Sequence, residues 1–346
     1  ALTERKVPLR DRLPIVSHLR RSVGLQRTML VIGLVITIVF VLVAVLAPVL
    51  APYGFAQQEA DGVKFGTQQV PSAMNLLGTT VGGYDVLSRV IWGAQTALLV
   101  ILCAIVFSIF LGIFLGLVSG YFGGWIDRIL VVLADAIYAF PSLLLAIVMS
   151  IAITRGQSPL WGDTIATAIS MTVVFVPQSF RVIRAGVVRV KAEPFVESAR
   201  VIGVPTARIL LRHVLRNSTR SLPVVVTLNA SEALLTLAGL GFLGFGIEAT
   251  AAAEWGYDLN RSVSDVTSGI WWTAIPPGVA IVLAVLGITL VGESLNDLSD
   301  PRLRTRRRAG RAPAPVTAVD PAPAPTSATA APAGPPASTS PEGSPS

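Results

Sequence analysis

Two ionisable side chains, Asp135 and Glu232, lie inside long apolar runs of this 346-residue chain. A charge at membrane depth is costly, so such residues usually face an ionic partner, a polar neighbour or a water-filled cavity. Glu232 could line a translocation path and meet a substrate's ammonium group, or it could hydrogen-bond with Asn229 or Ser231. Asp135 follows Arg128 by about two helical turns, which favours a structural role near the membrane interface over a second path-lining position.

The sequence offers no set of residues suited to catalysis or to holding a cofactor. Its two histidines, His18 and His213, are far apart, and no Ser-His-Asp set or paired carboxylates can be assembled. No G-x-x-x-x-G-K-[ST] phosphate loop is present, so we do not expect this chain to bind and hydrolyse ATP. We therefore expect no enzymatic activity and no catalytic, cofactor or metal site in this chain.

Residues 189–217 are too polar to cross a membrane, and their pattern predicts two short helices joined at a glycine. Pro194 suits the first position of a helix, Gly203 supplies a C-terminal stop, and Pro205 can open the second helix. Nine basic residues stand against two acidic ones between positions 181 and 220, which predicts a cytoplasmic loop. A helix–glycine–helix unit can transmit a displacement if it is rigid on both sides of one hinge. The alternative is a surface hairpin with a solvated basic face.

Apolar residues make up 52% of the chain and charged residues 14%, a balance typical of a polytopic membrane protein. Gly112 and Gly116, spaced as G-x-x-x-G, predict close helix packing within the bundle. If both termini are cytoplasmic, 23 of the 27 basic residues fall on the cytoplasmic side, and this asymmetry predicts that orientation. The sequence thus predicts an all-α fold with six transmembrane helices. The predicted spans are 29–50, 96–118, 129–153, 164–180, 222–247 and 273–292, and Pro141 is expected to break the third.

The other segments complete the predicted organisation. Residues 1–28 form a basic cytoplasmic lead, residues 51–95 an external loop with an interfacial helix over 86–94, and residues 96–304 the core with the last five spans. Residues 305–346 are rich in Ala, Pro, Ser and Thr, which predicts a disordered cytoplasmic tail, with nearby arginines at the lipid headgroups. The arginines flank apolar spans without a basic-aromatic surface motif, so we expect no nucleic-acid partner.

The loop at 189–217 also carries a family pattern. It resembles the "EAA" loop of ABC importer permeases, which reads E-A-A, three residues, G, nine residues, I-x-L-P. Ser198, His213 and Arg216 stand where that pattern has Ala, Ile and Pro. The matching positions are Glu197, Ser198, Ala199, Gly203, His213 and Leu215.

Further segments resemble the permeases of peptide importers, in the family's order. Residues 75–89 are similar to G-T-D-x-x-G-R-D-V-L-S-R, with Thr80 and Tyr84 where the family has Asp and Arg. Residues 254–256 resemble its S-W-G. Residues 292–304 are very similar to the G-D-G-L-R-D-x-x-D-P-R-L-R that closes these proteins.

These resemblances imply a type I ABC importer permease, similar to the C-type subunit of bacterial dipeptide and oligopeptide importers. In that family the loop couples transport to the ATPase. The resemblance further implies a multi-pass protein of the bacterial cell membrane, with a homologous B-type permease subunit as partner. Two ATPase subunits or one fused ATPase, which carry the ATP and Mg, and an extracytoplasmic peptide-binding protein would complete the assembly. The alternatives are an ion-gradient-driven secondary transporter or channel and, within the family, import of nickel chelates or other small solutes.

Overall fold

The apolar runs of the sequence become long helices in the computed structural model, which describes residues 25–154 and 162–299. In chain order the helices are α1 (Leu25–Val45), α2 (Ala47–Leu50), α3 (Val86–Phe122), α4 (Gly124–Tyr138), α5 (Ser142–Thr154), α6 (Gly162–Lys191), α7 (Pro194–Val201), α8 (Thr206–Arg208), α9 (Leu215–Ser218), α10 (Leu222–Phe242), α11 (Trp255–Thr267) and α12 (Ile275–Ser299). The shorter elements are a π-helix (Ile209–Val214), a 3-10 helix (Thr219–Ser221) and an antiparallel pair of two-residue strands, β1 (Glu59–Ala60) and β2 (Val63–Lys64).

Five helices in the described ranges, α1, α3, α6, α10 and α12, are long and apolar enough to cross a membrane. Helices α4 and α5 pass the same test only as a pair, and they are bent by 97° at the break between them. The break includes Pro141, at which the sequence predicts an interruption of the third span; proline has no N–H for a helical hydrogen bond. The bent pair makes six spans if it counts as one. The chain is therefore an all-α polytopic membrane protein, as predicted.

Helix α3 corrects the predicted boundary of the second span. The predicted interfacial helix over 86–94 is not a separate element, because α3 runs unbroken for 37 residues from Val86 to Phe122. Asp85 caps it by accepting a hydrogen bond from the backbone N–H of Ser88 at 2.7 Å. Arg89, which lies before the predicted span, is buried and paired with an acid from α11.

The glycines of α3 lie against α6, as the sequence predicts for packing inside the bundle. A Cβ atom at Gly112 would come within 2.5 Å of the Ser179 Cβ, and one at Gly116 within 2.8 Å of the Ile183 Cγ2. From Gly112 to Gly116, four residues along α3, the contact moves from Ser179 to Ile183, four residues along α6. The two helices therefore run parallel. Such close contact joins them over the last turns of both helices.

The loop after α10 contains a helix, α11, that the sequence analysis did not predict. Glu254 caps it by accepting hydrogen bonds from the backbone N–H groups of Gly256 and Tyr257 at 2.8 and 2.7 Å. The indole N–H of Trp255 donates to the Val90 carbonyl at 3.0 Å, over Gly93, where a Cβ would clash with the ring. The Glu-Trp-Gly sequence therefore wedges α11 between α3 and α10.

Other predicted boundaries differ by several residues. The fourth span is longer than predicted: α6 continues from Gly162 through Pro177 to Lys191. The fifth span ends earlier, at Phe242. Residues 1–24 of the predicted lead, the external turn at 155–161 and the predicted tail at 305–346 lie outside the described residues.

Candidate functional site

The predicted coupling loop forms two helical segments joined at Gly203, as the pattern of prolines and glycine indicates. Helix α7 begins at Pro194, and α8 follows directly after Pro205. The second segment continues through the π-helix, α9 and the 3-10 helix into α10. The loop therefore lies between α6 and α10, where both reach the same end of the bundle. We call this the basic end.

Gly203 ends α7 in a left-handed conformation, with φ of 78°. The N–H of Gly203 donates to the Arg200 carbonyl at 3.0 Å, and the N–H of Val204 donates to the Ala199 carbonyl at 3.0 Å. This pair of bonds is the Schellman motif, which favours glycine at this position. Apart from its two chain neighbours, no described residue has an atom within 4 Å of a Cβ built on Gly203, so the backbone conformation, and not space, requires glycine.

The loop has a buried face that packs on the ends of α3 and α6. Val196 and Ala199 of α7, with Ile209 and Val214 of the π-helix, are buried in a cluster with residues of both long helices. Those residues of α3 and α6 are Leu117, Tyr121, Ile183, Val187 and Val190. The loop and the α3–α6 pair are thus joined by close-packed side chains.

Two cations of the loop region hold the last turn of α3. The Lys191 ammonium donates to the Tyr121 carbonyl at 2.5 Å and lies 5.5 Å from the ring centre. The Arg200 guanidinium lies over the same ring at 5.3 Å. Nearby, Arg184 of α6 makes a two-point ion pair with Asp127 of α4, with distances of 2.5 and 2.6 Å.

Three large apolar side chains of the loop are exposed. Val201 is 82% exposed, Ile202 78% and Leu211 65%. These three side chains, which we call the apolar patch, flank the glycine on both sides in sequence. Sequence analysis did not predict the patch. The sequence signal that could have predicted the patch is the apolar pair Val201-Ile202, directly before Gly203 in an otherwise polar loop.

The structure divides the predicted coupling residues between the two faces of the loop. Glu197, Ser198 and Gly203 are exposed, whereas Ala199 is buried. His213 is half-buried, and its ring lies 6.4 Å from that of Phe195. Leu215 is half-buried against the cluster beneath the loop.

The two predicted path residues lie in different surroundings. Asp135 accepts a hydrogen bond from Arg181 at 2.7 Å, and both side chains are exposed. The Arg181 guanidinium also lies 4.4 Å from the Tyr138 ring centre. Glu232 is exposed and lines a pocket of about 200 Å³ at the α4–α5 bend, together with Tyr138 and Gln178. Asp135 does not line that pocket.

The other end of the bundle, where α3 begins, holds a buried ion pair that sequence analysis did not predict. The Arg89 Nε donates to both carboxylate oxygens of Asp258 at 2.7 and 2.9 Å, and the side chains are 2% and 9% exposed. Burial raises the pKa of Asp258, and the neighbouring Arg89 opposes this effect. Burial also raises the pKa of Glu254 to about 8, although the N–H groups of Gly256 and Tyr257 favour its charged form.

Among the described residues, no group of three or more His, Cys, Asp or Glu side chains could hold a metal ion. Among the described residues, polar groups instead form ion pairs at the two ends of the bundle, and Glu232 lines a pocket at the bend.

Sequence comparisons identify similar proteins. Residues 112–305 match the family described as binding-protein-dependent transport system inner membrane component, and residues 25–71 match the N-terminal TM domain of oligopeptide transport permease C. The chain is 35% identical over 238 residues to a dipeptide transport system permease protein of Alkalihalophilus pseudofirmus, covering 68% of this chain and 75% of that protein. It is 35% identical over 235 residues to a glutathione transport system permease protein of Escherichia coli O6:K15:H31, covering 68% and 74%. A protein of the latter description from Shigella flexneri serotype 5b is 37% identical over 235 residues, with the same coverage.

Proposed function

Because this chain belongs to the family of binding-protein-dependent transport system inner membrane components, we propose that it forms half of the translocation path of an ATP-driven importer. Its cargo would be di- or oligopeptides delivered by an extracytoplasmic binding protein. A homologous B-type permease subunit would supply the other half of the path. The similarity to a dipeptide permease and to the N-terminal domain of oligopeptide permeases supports this choice of cargo.

The apolar patch is the observation that supports the ATPase connection most directly. Three large apolar side chains, Val201, Ile202 and Leu211, are 65 to 82% exposed beside a loop whose other face is buried on α3 and α6. Contiguous exposed apolar side chains mark a protein contact, and we place these three in one such contact. We assign the patch to the groove of an ATPase subunit, so that movement of the ATPase pushes the α3–α6 pair.

The orientation follows from the charges of the loop. Basic residues concentrate at the basic end, and the positive-inside rule assigns such loops to the cytoplasm. The ATPases, as separate or fused subunits with their ATP and Mg, would therefore bind there. This chain would perform no hydrolysis itself. Both of its termini would be cytoplasmic, and the end that carries α11 would face the binding protein.

Glu232 is the residue that we assign to the path. Its carboxylate lines a pocket with the Gln178 amide and the Tyr138 ring, groups that suit an ammonium and a peptide bond. Asp135, which is engaged with Arg181, would instead fix α4 to α6 beside the path.

The experiment compares ATPase binding and uptake with the patch intact and disrupted. Val201→Glu combined with Ile202→Glu places two charges in the proposed contact. The matched control is Val263→Glu, at an exposed valine of α11 at the other end. We expect the double variant to lose the co-purified ATPase and ATP-dependent peptide uptake in proteoliposomes, while the control retains both.

Two outcomes would contradict the proposal. Equal ATPase recovery with the double variant would remove the patch from the contact. Uptake that proceeds without ATP and follows a proton or sodium gradient would instead identify a secondary transporter.

A further inference from the structure

A second pocket, of about 200 Å³, lies at the end of the bundle that carries α11. Its wall combines residues of α11 with residues of the loops before α3 and after α10. We call it the acidic pocket. The charged residues that line it are Glu248, Asp258, Arg261 and Asp265.

One carboxyl group of the acidic pocket has no counter-charge in the described part of the chain. Asp258 is paired with Arg89. Glu248 and Arg261 are exposed to solvent and have opposite charges. Asp265 is only 1% exposed and forms no ion pair with a described residue.

Asp265 also has a carboxylate oxygen without a hydrogen-bond partner in the described part of the chain. Asp265 Oδ1 accepts a hydrogen bond from the Gln68 amide at 2.5 Å. Asp265 Oδ2 is buried and has no hydrogen-bond partner among the described residues. A buried acceptor without a partner is costly. Oδ2 is shielded from solvent, but Asp265 lines the pocket, so a group inside the pocket can provide the missing donor after a small rotation of the carboxylate.

The other walls favour an organic cation. The hydroxyl groups of Thr80 and Ser262 can accept further N–H bonds, and the ring of Tyr257 can face a cation, whereas the Tyr84 ring already has the Arg89 guanidinium over it at 5.1 Å. A divalent metal fits less well, because the described residues include no cluster of three metal-binding side chains. We propose that the acidic pocket binds one ammonium or guanidinium group, with Asp265 as its counter-charge.

Two sources could present this group, and both rest on the proposed function. One is the amino terminus of a peptide, and the other is a lysine or arginine side chain of the extracytoplasmic binding protein. Binding to the chain alone tests the pocket without either source. ATPase co-purification tests only the proposed function, so failures of the two proposals are distinguishable.

The test uses the full chain in lipid nanodiscs and measures dissociation constants by equilibrium dialysis. The probes are n-butylammonium and n-butylguanidinium, with n-butanol as the neutral comparison. We expect Asp265→Asn to weaken binding of the cations about tenfold or more, because hydrogen bonds to charged groups are the stronger ones. The matched control is Asp61→Asn, which removes an exposed carboxylate from the turn between β1 and β2 and should leave affinity unchanged.

Two variants of Val81 that introduce opposite charges into the pocket wall give a second test, which leaves Asp265 unchanged. Val81 lines the pocket and is 37% exposed. We expect Val81→Glu to bind the cations more tightly than Val81→Lys, with a difference of at least about fivefold. If Asp265 has only a structural role, Asp265→Asn should change the melting temperature, but cation affinity should not differ between the two Val81 variants.

Competition then identifies the source. Displacement of n-butylguanidinium by dipeptides would indicate the peptide terminus, and displacement by the purified binding protein would indicate a basic side chain of that protein. The proposal is overturned if Asp265→Asn binds the cations as tightly as wild type. It is also overturned if the two Val81 variants bind them equally.

Discussion

Gly203 provides the sharpest test of how the coupling loop works. We compare Gly203→Val with Gly203→Asn in the reconstituted importer. A left-handed conformation costs an ordinary L residue roughly 1–2 kcal/mol, whereas asparagine adopts it more readily. Because a Cβ at this position would meet no atom of the described residues within 4 Å beyond its chain neighbours, the cost is conformational and includes no clash.

This energy can be converted into an expected rate. A penalty of about 1–2 kcal/mol lowers the ratio of the observed loop conformation to its alternatives by a factor of about 5 to 30. Loss of that conformation breaks the two bonds that end α7 and redirects Ile202 of the apolar patch relative to Leu211. We therefore expect peptide uptake by Gly203→Val to fall, by at most that factor. Gly203→Asn should stay within about twofold of wild type, since Asn favours the same backbone region.

The assay is the initial rate of ATP-dependent uptake in proteoliposomes, measured alongside ligand binding by the separate binding protein. Ligand binding should be the same for both variants, because the change lies in another subunit. Equal uptake by Gly203→Val and Gly203→Asn, both at the wild-type rate, would refute the claim that this turn must keep its left-handed form for coupling.

Two further predictions concern the end of the bundle that carries α11. Arg89→Met should lower the free energy of unfolding by roughly 3–5 kcal/mol, because it leaves Asp258 buried without its partner. In a thermal-melting series, the double variant with Asp258→Leu should recover most of this loss. If it recovers none, the ion pair is not the cause of the loss. Glu254 has a folded-state pKa of about 8 against an ordinary value of 4.5, so the folded state binds this proton more tightly than the unfolded state does. The stability that Glu254 contributes is therefore present at low pH and declines as pH rises between these two values. Glu254→Gln should flatten the dependence of melting temperature on pH in that window, and an unchanged slope would assign it to other groups.

The predictions from sequence succeeded where the signal is local. The interruption at Pro141, the helix start at Pro194 and the turn at Gly203 follow from the conformations that proline and glycine allow. The close packing predicted from Gly112 and Gly116 is also present. Their partner helix could not be predicted, because the spacing of small residues shows that a helix can approach but not which one.

The errors have a common physical cause, which is pairing between residues distant in sequence. Helix α3 begins at Val86, before the predicted span, and its first turn contains Arg89, which pairs with Asp258, 169 residues later. The acidic loop after α10 gave no sign of a helix because its cap, Glu254, is held in a pocket that α10 forms only in the folded chain. The apolar patch was missed since its exposure depends on which face of α7 packs on α3 and α6.

Helix α3 links the two ends of the molecule, and this connection bears on both proposals. Its 37 residues extend about 55 Å without a break. Its last turn, at Tyr121, is held by Lys191 and Arg200 near the coupling loop, and its first turn carries Arg89, bound to Asp258 in the wall of the acidic pocket. Because close contacts with α6 leave little room for bending, we expect a push on the loop to move α3 as one rigid element. Such a movement would change the wall of the acidic pocket during each transport cycle. By linkage, a cation held more tightly in one state of that pocket must then favour the same state of the coupling loop.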